Sequence, residues 1–178
     1  HAYKSAGARA TAYNTISGSG FNATVLHYHA NSKPIQAGEL LVLDSGASFG
    51  GYAADVTRTF AVSGKFTPRQ KLVYDTVLKS QLASIRACRP GAKMSEVDAA
   101  ARKVIASAGF GDNFIHGIGH HLGLEVHDAD PATALEPGMI VTIEPGIYIP
   151  EESLGVRIED DILITNGAPK VLTAAIPK

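Results

Sequence analysis

Residues 39–60 read ELLVLDSGASFGGYAADVTRTF, two β-rich runs on either side of the pair Gly50-Gly51. Apolar and β-branched runs flanking a glycine turn predict a β-hairpin. Each run carries an acid where a strand core should be apolar. Asp44 closes the stretch Leu40-Leu41-Val42-Leu43, and Asp55 lies in the returning run. A turn between Phe49 and Gly50 places Asp44 directly opposite Asp55. Side chains so opposed share a face with Cβ atoms about 4.5–5.5 Å apart, and like charges there repel. A shared proton, a basic partner or a cation must compensate.

The pattern recurs in MIVTIEPGIYI (139–149) and GVRIEDDILIT (155–165). Glu144 follows Ile140-Val141-Thr142-Ile143, Glu159 follows Val156-Arg157-Ile158, and a turn near Glu151 and Glu152 sets Glu144 opposite Glu159. A lone acid in a strand usually marks an edge or a bulge. Two opposed pairs argue for cations instead, and a two-metal site with a histidine completing the ligand set would neutralise them. Two hairpins of one kind suggest two structurally similar halves, although no sequence repeat is evident.

The histidines lie in HGIGHHLGLEVHD (116–128), which holds His116, His120, His121 and His127. Their spacing matches neither HExxH nor a cysteine-based zinc pattern. Gly117, Gly119 and Gly123 permit close backbone approach. In an extended segment His121 cannot share a face with His120, so it reads as structural. Arg157, two residues before Glu159 in a strand, points to the same face as that acid. His27 and His29 also share a face, one near the site and one at its rim. Asp160 and Asp161 read as capping or salt-bridging groups, Tyr28 and Tyr148 as amphipathic core residues, and Cys88 as inert.

NATVLHY (22–28) reads as a strand, and Pro34 and Gly38 mark a turn after it. Helix begins near Thr67, where Thr67, Pro68 and Gln70 form a capping box with proline at the first helical position. Leu72, Val73, Val77, Leu78, Leu82 and Ile85 recur at helical spacing until Arg89-Pro90-Gly91. A second helix starts after Ser95, buries Val97, Ala101, Val104, Ile105 and Ala108, and ends at Gly109. The order of strands, helices, then strands predicts an α+β fold with mostly antiparallel pairing, in a single domain over 1–178. Gly18-Ser19-Gly20 precedes a strand rather than opening a helix, which argues against a dinucleotide loop.

Sixteen basic residues against seventeen acidic give a net charge of −1 over 178 residues. That excludes a strongly basic nucleic-acid binder. With 45% apolar and 19% charged residues the chain has the material for a sizeable core. No run approaches the ~18 apolar residues of a membrane span. One cysteine cannot form an internal disulfide, which fits a reducing, cytoplasmic setting. The first residue is His1, not Met, so the expectation is a processed chain or a fragment.

Together GSGFNATVLHY (18–28), LLVLDSGASFGGYAADVTRTF (40–60), FIHGIGHHLGLEVHD (114–128), LEPGMIVTIEPGIYIP (135–150) and GVRIEDDILIT (155–165) resemble the pita-bread metallopeptidases, in their aminopeptidase P and prolidase branch. The resemblance implies curved antiparallel sheets with helices on the outer face. It implies two divalent metal ions held by Asp44, Asp55, His120, Glu144 and Glu159, with Asp55 and Glu159 bridging. Mn2+ is the usual activating ion, with Co2+ or Zn2+ as alternatives. His27, His116 and His127 match the family's substrate-site histidines. Arg157 matches an arginine behind the ligands, counted here with the substrate residues, and Tyr148 sits where a tyrosine follows the EPG turn. The implied reaction is hydrolysis of Xaa-Pro bonds in short proline-containing peptides by a hydroxide bridging the ions. Glu144 would handle the proton, His127 and a metal would stabilise the oxyanion, and His116 would orient the substrate.

The chain departs from the family pattern at its start. Only about 20 residues precede NATVLHY, so the opening helices of the first half and any separate N-terminal domain are expected to be missing. The segment from Gly109 to His116 also looks short. The expectation is that an upstream segment or a homo-oligomer covers the apolar face left behind, and that the Leu72–Ile85 stripe covers only part of it. Among relatives of other function, methionine aminopeptidases share the five ligands, but HHLGLEVHD and VRIEDD match the proline-specific branch. Creatine hydrolases and the non-catalytic peptide- or protein-binding modules of this fold do not keep the full ligand set.

Overall fold

In chain order, helix α1 (Ala2–Ser5) and strands β1 (Ala10–Thr11) and β2 (Ile16–Ser19) lead into β3 (Leu40–Asp44), β4 (Ala47–Phe49), β5 (Tyr52–Ala53) and β6 (Thr57–Ala61). Helices α2 (Pro68–Ala87) and α3 (Met94–Ser107) follow. The chain then forms β7 (Ile140–Ile143), β8 (Gly146–Ile149), β9 (Leu154–Arg157), β10 (Asp160–Leu163) and β11 (Lys170–Val171). These elements come from a computed structural model that describes residues 1–178. All strand pairing is antiparallel, in the orders β1-β4-β5, β2-β3-β6, β11-β10-β7 and β8-β9.

The first hairpin forms, but two residues out of the expected register. Gly50 (φ 60°) and Gly51 (φ 89°) make the turn, and Phe49 pairs with Tyr52 across it. Two successive left-handed residues give the two-residue turn whose twist suits a hairpin, and glycine adopts them without a Cβ clash. The turn therefore centres between Gly50 and Gly51. Asp44 faces Thr57 rather than Asp55, which lies in the irregular segment between β5 and β6.

The second hairpin has the expected register. Ile143 pairs with Asp160 and Gly146 with Arg157, so Glu144 and Glu159 stand opposite each other. The turn at Pro150–Glu152 is a 3-10 turn closed by left-handed Ser153. The ladder breaks at the acids because Pro145 has no N–H to donate.

The strand expected at 22–28 is not one. Gly20–Thr24 is a 3-10 turn, and the strand is β2, upstream of it. The Thr24 hydroxyl bonds the Phe21 carbonyl at 2.7 Å and the Val25 amide bonds the Asn22 carbonyl at 3.2 Å. Local bonds of this kind compete with ladder pairing. Gly155 lets the turn lie against β9, since a Cβ there would come within 2.0 Å of the Ala23 carbonyl oxygen.

Helix α2 starts at the Thr67 capping box, and the predicted Gly109 ends the second helix with φ 84°. Helix α3 begins two residues earlier than expected, at Met94, because Glu96 reaches back to the Lys93 amide. Val73, Val77, Val97, Ala101 and Ile105 join Val141, Ile143, Ile147, Val156 and Ile158 in one buried cluster, so the helices cover the second hairpin. Leu72 and Leu82 of the predicted stripe are exposed instead. Their buried places go to Ser80, Gln81 and Ser84. The Ser80 and Ser84 hydroxyls bond the Ala101 and Val97 carbonyls, which brings α2 close to α3. On β3 and β6, Leu43, Phe60 and neighbouring Val62 remain exposed. No helix is long and apolar enough to cross a membrane.

Candidate metal centre

Alternate backbone groups of the second hairpin point away from its own ladder, outward on both sides. The Glu144 amide bonds the Ile118 carbonyl at 2.8 Å, and the Thr142 amide bonds the His120 carbonyl at 2.8 Å. The histidine segment is thereby laid along β7. Gly119 makes this possible, since a Cβ there would lie 2.0 Å from the Thr142 carbonyl oxygen. On the other side the Glu159 amide bonds the Thr57 carbonyl at 3.1 Å, which brings β6 of the first hairpin against the second. The acids of both hairpins converge at this seam.

The result is an open cavity of about 250 Å³. Asp44, Asp55, His120, Glu144 and Glu159 all line it, as do His27, His116, His127 and Arg157. Leu26, Gly117 and Gly119 complete the lining.

Three of these residues, Asp55, His120 and Glu159, offer ligand atoms within 4.8 Å of one another. Nε2 of His120 is 3.5 Å from Oδ2 of Asp55 and 3.5 Å from Oε1 of Glu144. Its Nδ1 bonds the His121 carbonyl at 3.0 Å. A carbonyl only accepts, so Nδ1 carries the proton and Nε2 faces the acids, the arrangement of a metal-ligating histidine. Buried carboxylates with one imidazole form a donor set suited to a divalent ion of the Mn2+, Co2+ or Zn2+ kind.

The acids are strained electrostatically. Burial, with the neighbouring Glu144, Asp55 and Asp44, pushes Glu159 well above the usual carboxylate range. Burial raises Glu144 to about 7 against the lowering influence of Arg157 and His120. Burial also raises Asp44, although Arg157 opposes it. Asp55 is lowered, because bonds from His120 and Tyr13 outweigh its burial. His120 is raised, Asp55 and the His121 carbonyl outweighing burial.

Tyr13, which sequence reasoning did not single out, puts its hydroxyl between the two aspartates. It donates to Asp44 and lies 2.5 Å from Oδ1 of Asp55. Asp44 and Asp55 are therefore joined through a phenol rather than by direct opposition. Nothing in Ala12-Tyr13-Asn14 marks this role, since the segment has neither periodicity nor a charged partner. Tyr148, read as a core residue, is buried, and its hydroxyl lies 2.9 Å from Nε2 of His116. Nη1 of Arg157 donates to the same hydroxyl at 3.1 Å. Nδ1 of His116 bonds the Gly117 carbonyl at 2.8 Å. Burial, aided by Arg157, lowers His116 to about 4, so it is a neutral acceptor at neutral pH. His127 stacks on His120 with ring centroids 4.0 Å apart, and His27 stacks on His29 at 6.0 Å. His121 is buried and bridges to Val141 of β7. Asp160 pairs with Arg58 and Lys178, away from the cavity.

The profile of metallopeptidase family M24 matches residues 1–166. The Xaa-Pro aminopeptidase of Escherichia coli K12 is 41% identical over 209 aligned positions, covering 100% of this chain and 47% of that protein. The Xaa-Pro dipeptidase of Pyrococcus furiosus is 43% identical, covering 94% of this chain and 49% of its own. Among solved structures, E. coli aminopeptidase P with the inhibitor Pro-Leu superposes with a TM-score of 0.94 at 39% identity, covering 99% of this chain and 47% of that one. Prolidase from P. furiosus gives 0.91 at 43% identity, covering 96% and 51%. The chain spans about half the length of these relatives. Its mixed α and antiparallel β architecture is the pita-bread fold they share. On this match, and on a cavity whose donors suit divalent ions, the chain belongs to metallopeptidase family M24.

Proposed function

We propose that this chain carries the catalytic site of an Xaa-Pro peptidase that hydrolyses the bond preceding proline in short peptides. The observation that carries the reading is the convergence of four carboxylates and His120 on one cavity, with His27, His116 and His127 around it. Asp44, Asp55, His120, Glu144 and Glu159 would hold two divalent ions, Mn2+ by preference. Ions held there supply Lewis acidity and lower the pKa of a bound water.

The chain's own residues do the rest. Glu144 lines the cavity beside His120, where its carboxylate would handle the proton of the attacking water. His116 is held neutral by burial, and His127 stands over His120; these two face a bound peptide, with His127 as donor toward the developing oxyanion. His27 lines the same opening. Arg157, expected among the substrate residues, spends its donors on Asp44, Thr57 and Tyr148, and is read here as the anchor of Asp44 and of the Tyr148–His116 pair. Proline's imide carries no N–H, so selection for it rests on the shape around the ring.

The test is hydrolysis of Xaa-Pro dipeptides and Xaa-Pro-Xaa tripeptides with added Mn2+, alongside elemental analysis. The expected result is proline-dependent cleavage with about two ions per chain. A chain that binds no metal and cleaves neither peptide rejects the reading in favour of a non-catalytic module.

A further inference from the structure

We propose that Arg58 is a positioning residue for Glu159, and that the segment Thr173–Lys178 is the strap that holds Arg58 in place. The inference rests on the reading of Glu159 as a metal ligand. Side chains alternate along β6. Thr57 and Thr59 face the seam, where their hydroxyls bond Oε2 of Glu159 at 2.6 Å and the Arg157 carbonyl at 2.8 Å. Arg58 points the other way, behind the seam.

A guanidinium has five N–H donors in a fixed fork. Here they meet five acceptors. Nε bonds the Pro177 carbonyl at 2.9 Å. Nη1 bonds the carbonyls of Thr57 at 2.9 Å and Glu159 at 2.5 Å. Nη2 bonds Oδ1 of Asp160 at 2.8 Å and the Ile176 carbonyl at 2.8 Å. Glu159 is thus gripped twice: Thr57 takes its carboxylate from the cavity side, and Arg58 takes its carbonyl from behind.

The strap completes the grip. It supplies two of the five acceptors, Ile176 and Pro177. It also supplies the Thr173 hydroxyl, 2.7 Å from Oδ1 of Asp160, and Nζ of Lys178, 2.5 Å from Oδ2. Gln81 of α2 bonds both Asp160 and Lys178. Asp160 is fully buried, and a buried carboxylate requires such partners. Neither Arg58, Asp160 nor Lys178 lines the cavity, so none touches a bound peptide. Their effect passes through the placement of Glu159, and partners behind a ligand tune metal affinity. Lysine at position 58 cannot reproduce the fork, because an ammonium offers three donors from one point.

The experiment uses the 178-residue chain with Arg58→Lys, Lys178→Met and Lys178→Arg. Mn2+ affinity is measured by calorimetry, kcat and KM on an Xaa-Pro dipeptide, and backbone amide exchange in EDTA. Arg58→Lys and Lys178→Met should weaken Mn2+ binding by roughly 10–100-fold, lower kcat with KM little changed, and speed exchange locally over residues 157–161. Lys178→Arg should restore all three. If Arg58→Lys does not fold, Lys178→Met decides, since Asp160 there keeps Arg58, Thr173 and Gln81. Variants that melt lower yet bind Mn2+ as tightly as the parent overturn the proposal, leaving these residues to general stability. A parent chain that binds no Mn2+ rejects the ligand reading instead. The exchange data then decide alone: faster exchange confined to 157–161 supports the grip, and unchanged exchange there overturns it.

Discussion

Arg157 donates from Nη2 to Oδ2 of Asp44 at 2.8 Å, and both side chains are buried. The pair joins the two hairpins across the cavity floor. Among the residues lining the cavity Arg157 is the one lysine or arginine, set against four carboxylates. Without bound cations, it is the fixed positive charge that keeps those acids together.

Arg157→Met should therefore destabilise the metal-free protein by about 3–5 kcal/mol, the cost of stranding a buried partner. Divalent ions should recover part of that loss, because they supply the charge that the arginine no longer does. Urea unfolding in EDTA and in excess Mn2+ measures both terms. An equal loss in the two conditions would mean that Arg157 acts by packing alone.

Asp55→Asn and Glu159→Gln should each reduce bound metal and abolish peptide hydrolysis. Both residues belong to the Asp55–His120–Glu159 group whose ligand atoms lie within 4.8 Å. An amide in place of a carboxylate removes one negative charge from a site that must balance divalent ions. Elemental analysis with an Xaa-Pro assay checks this, and full activity at normal metal content in either variant rules out the assignment.

How far the sequence shows this site depends on what held each residue in place. Glu144 and Glu159 were legible as an opposed pair because a regular ladder continues on both sides of them, at Ile143–Asp160 and Gly146–Arg157. Asp44 and Asp55 were legible as neighbours but not in register, because the two left-handed glycines shift the turn by one residue. The capping box of α2 is a local signal and appears as read. The 3-10 turn at Gly20–Thr24 is fixed partly by contact with Gly155, far along the chain, so local β propensity misleads there. Tyr13 was invisible for the same reason, since its partners are Asp44 and Asp55 and not its neighbours.

Glu144 makes the metal-free protein sensitive to pH in a definite direction. Its pKa rises from an ordinary 4.5 to about 7 on folding. Between those values the folded state holds a proton that the unfolded chain has released, so stability falls as pH rises through the window. Asp161, also raised to about 7 by burial, acts in the same sense, and His116, lowered to about 4, acts in the opposite one. A comparison with Glu144→Gln, which stays neutral, isolates the residue. In EDTA the stability of the parent relative to that variant should drop between pH 5 and pH 7.5. A difference that does not move with pH contradicts the burial of a charge at Glu144.

His127 separates the roles of holding metal and of stabilising the reaction. Its ring lies over His120 at 4.0 Å, yet it is not among the group whose ligand atoms converge. Burial lowers its pKa, which favours the neutral ring, a form that presents one N–H. A donor aimed at charge that develops only in the transition state acts on turnover and leaves the resting site intact. His127→Ala should lower kcat by roughly 10²–10³-fold, the scale for losing one oxyanion donor, with KM altered far less and the metal content unchanged. Loss of the stack frees one face of His120 but not its Nδ1 bond to the His121 carbonyl, which keeps Nε2 directed at the acids. Single-turnover rates on an Xaa-Pro dipeptide, paired with elemental analysis of the same sample, distinguish the two roles. Metal lost in proportion to activity would make His127 a ligand, and the five-residue set proposed here would have to be redrawn around it.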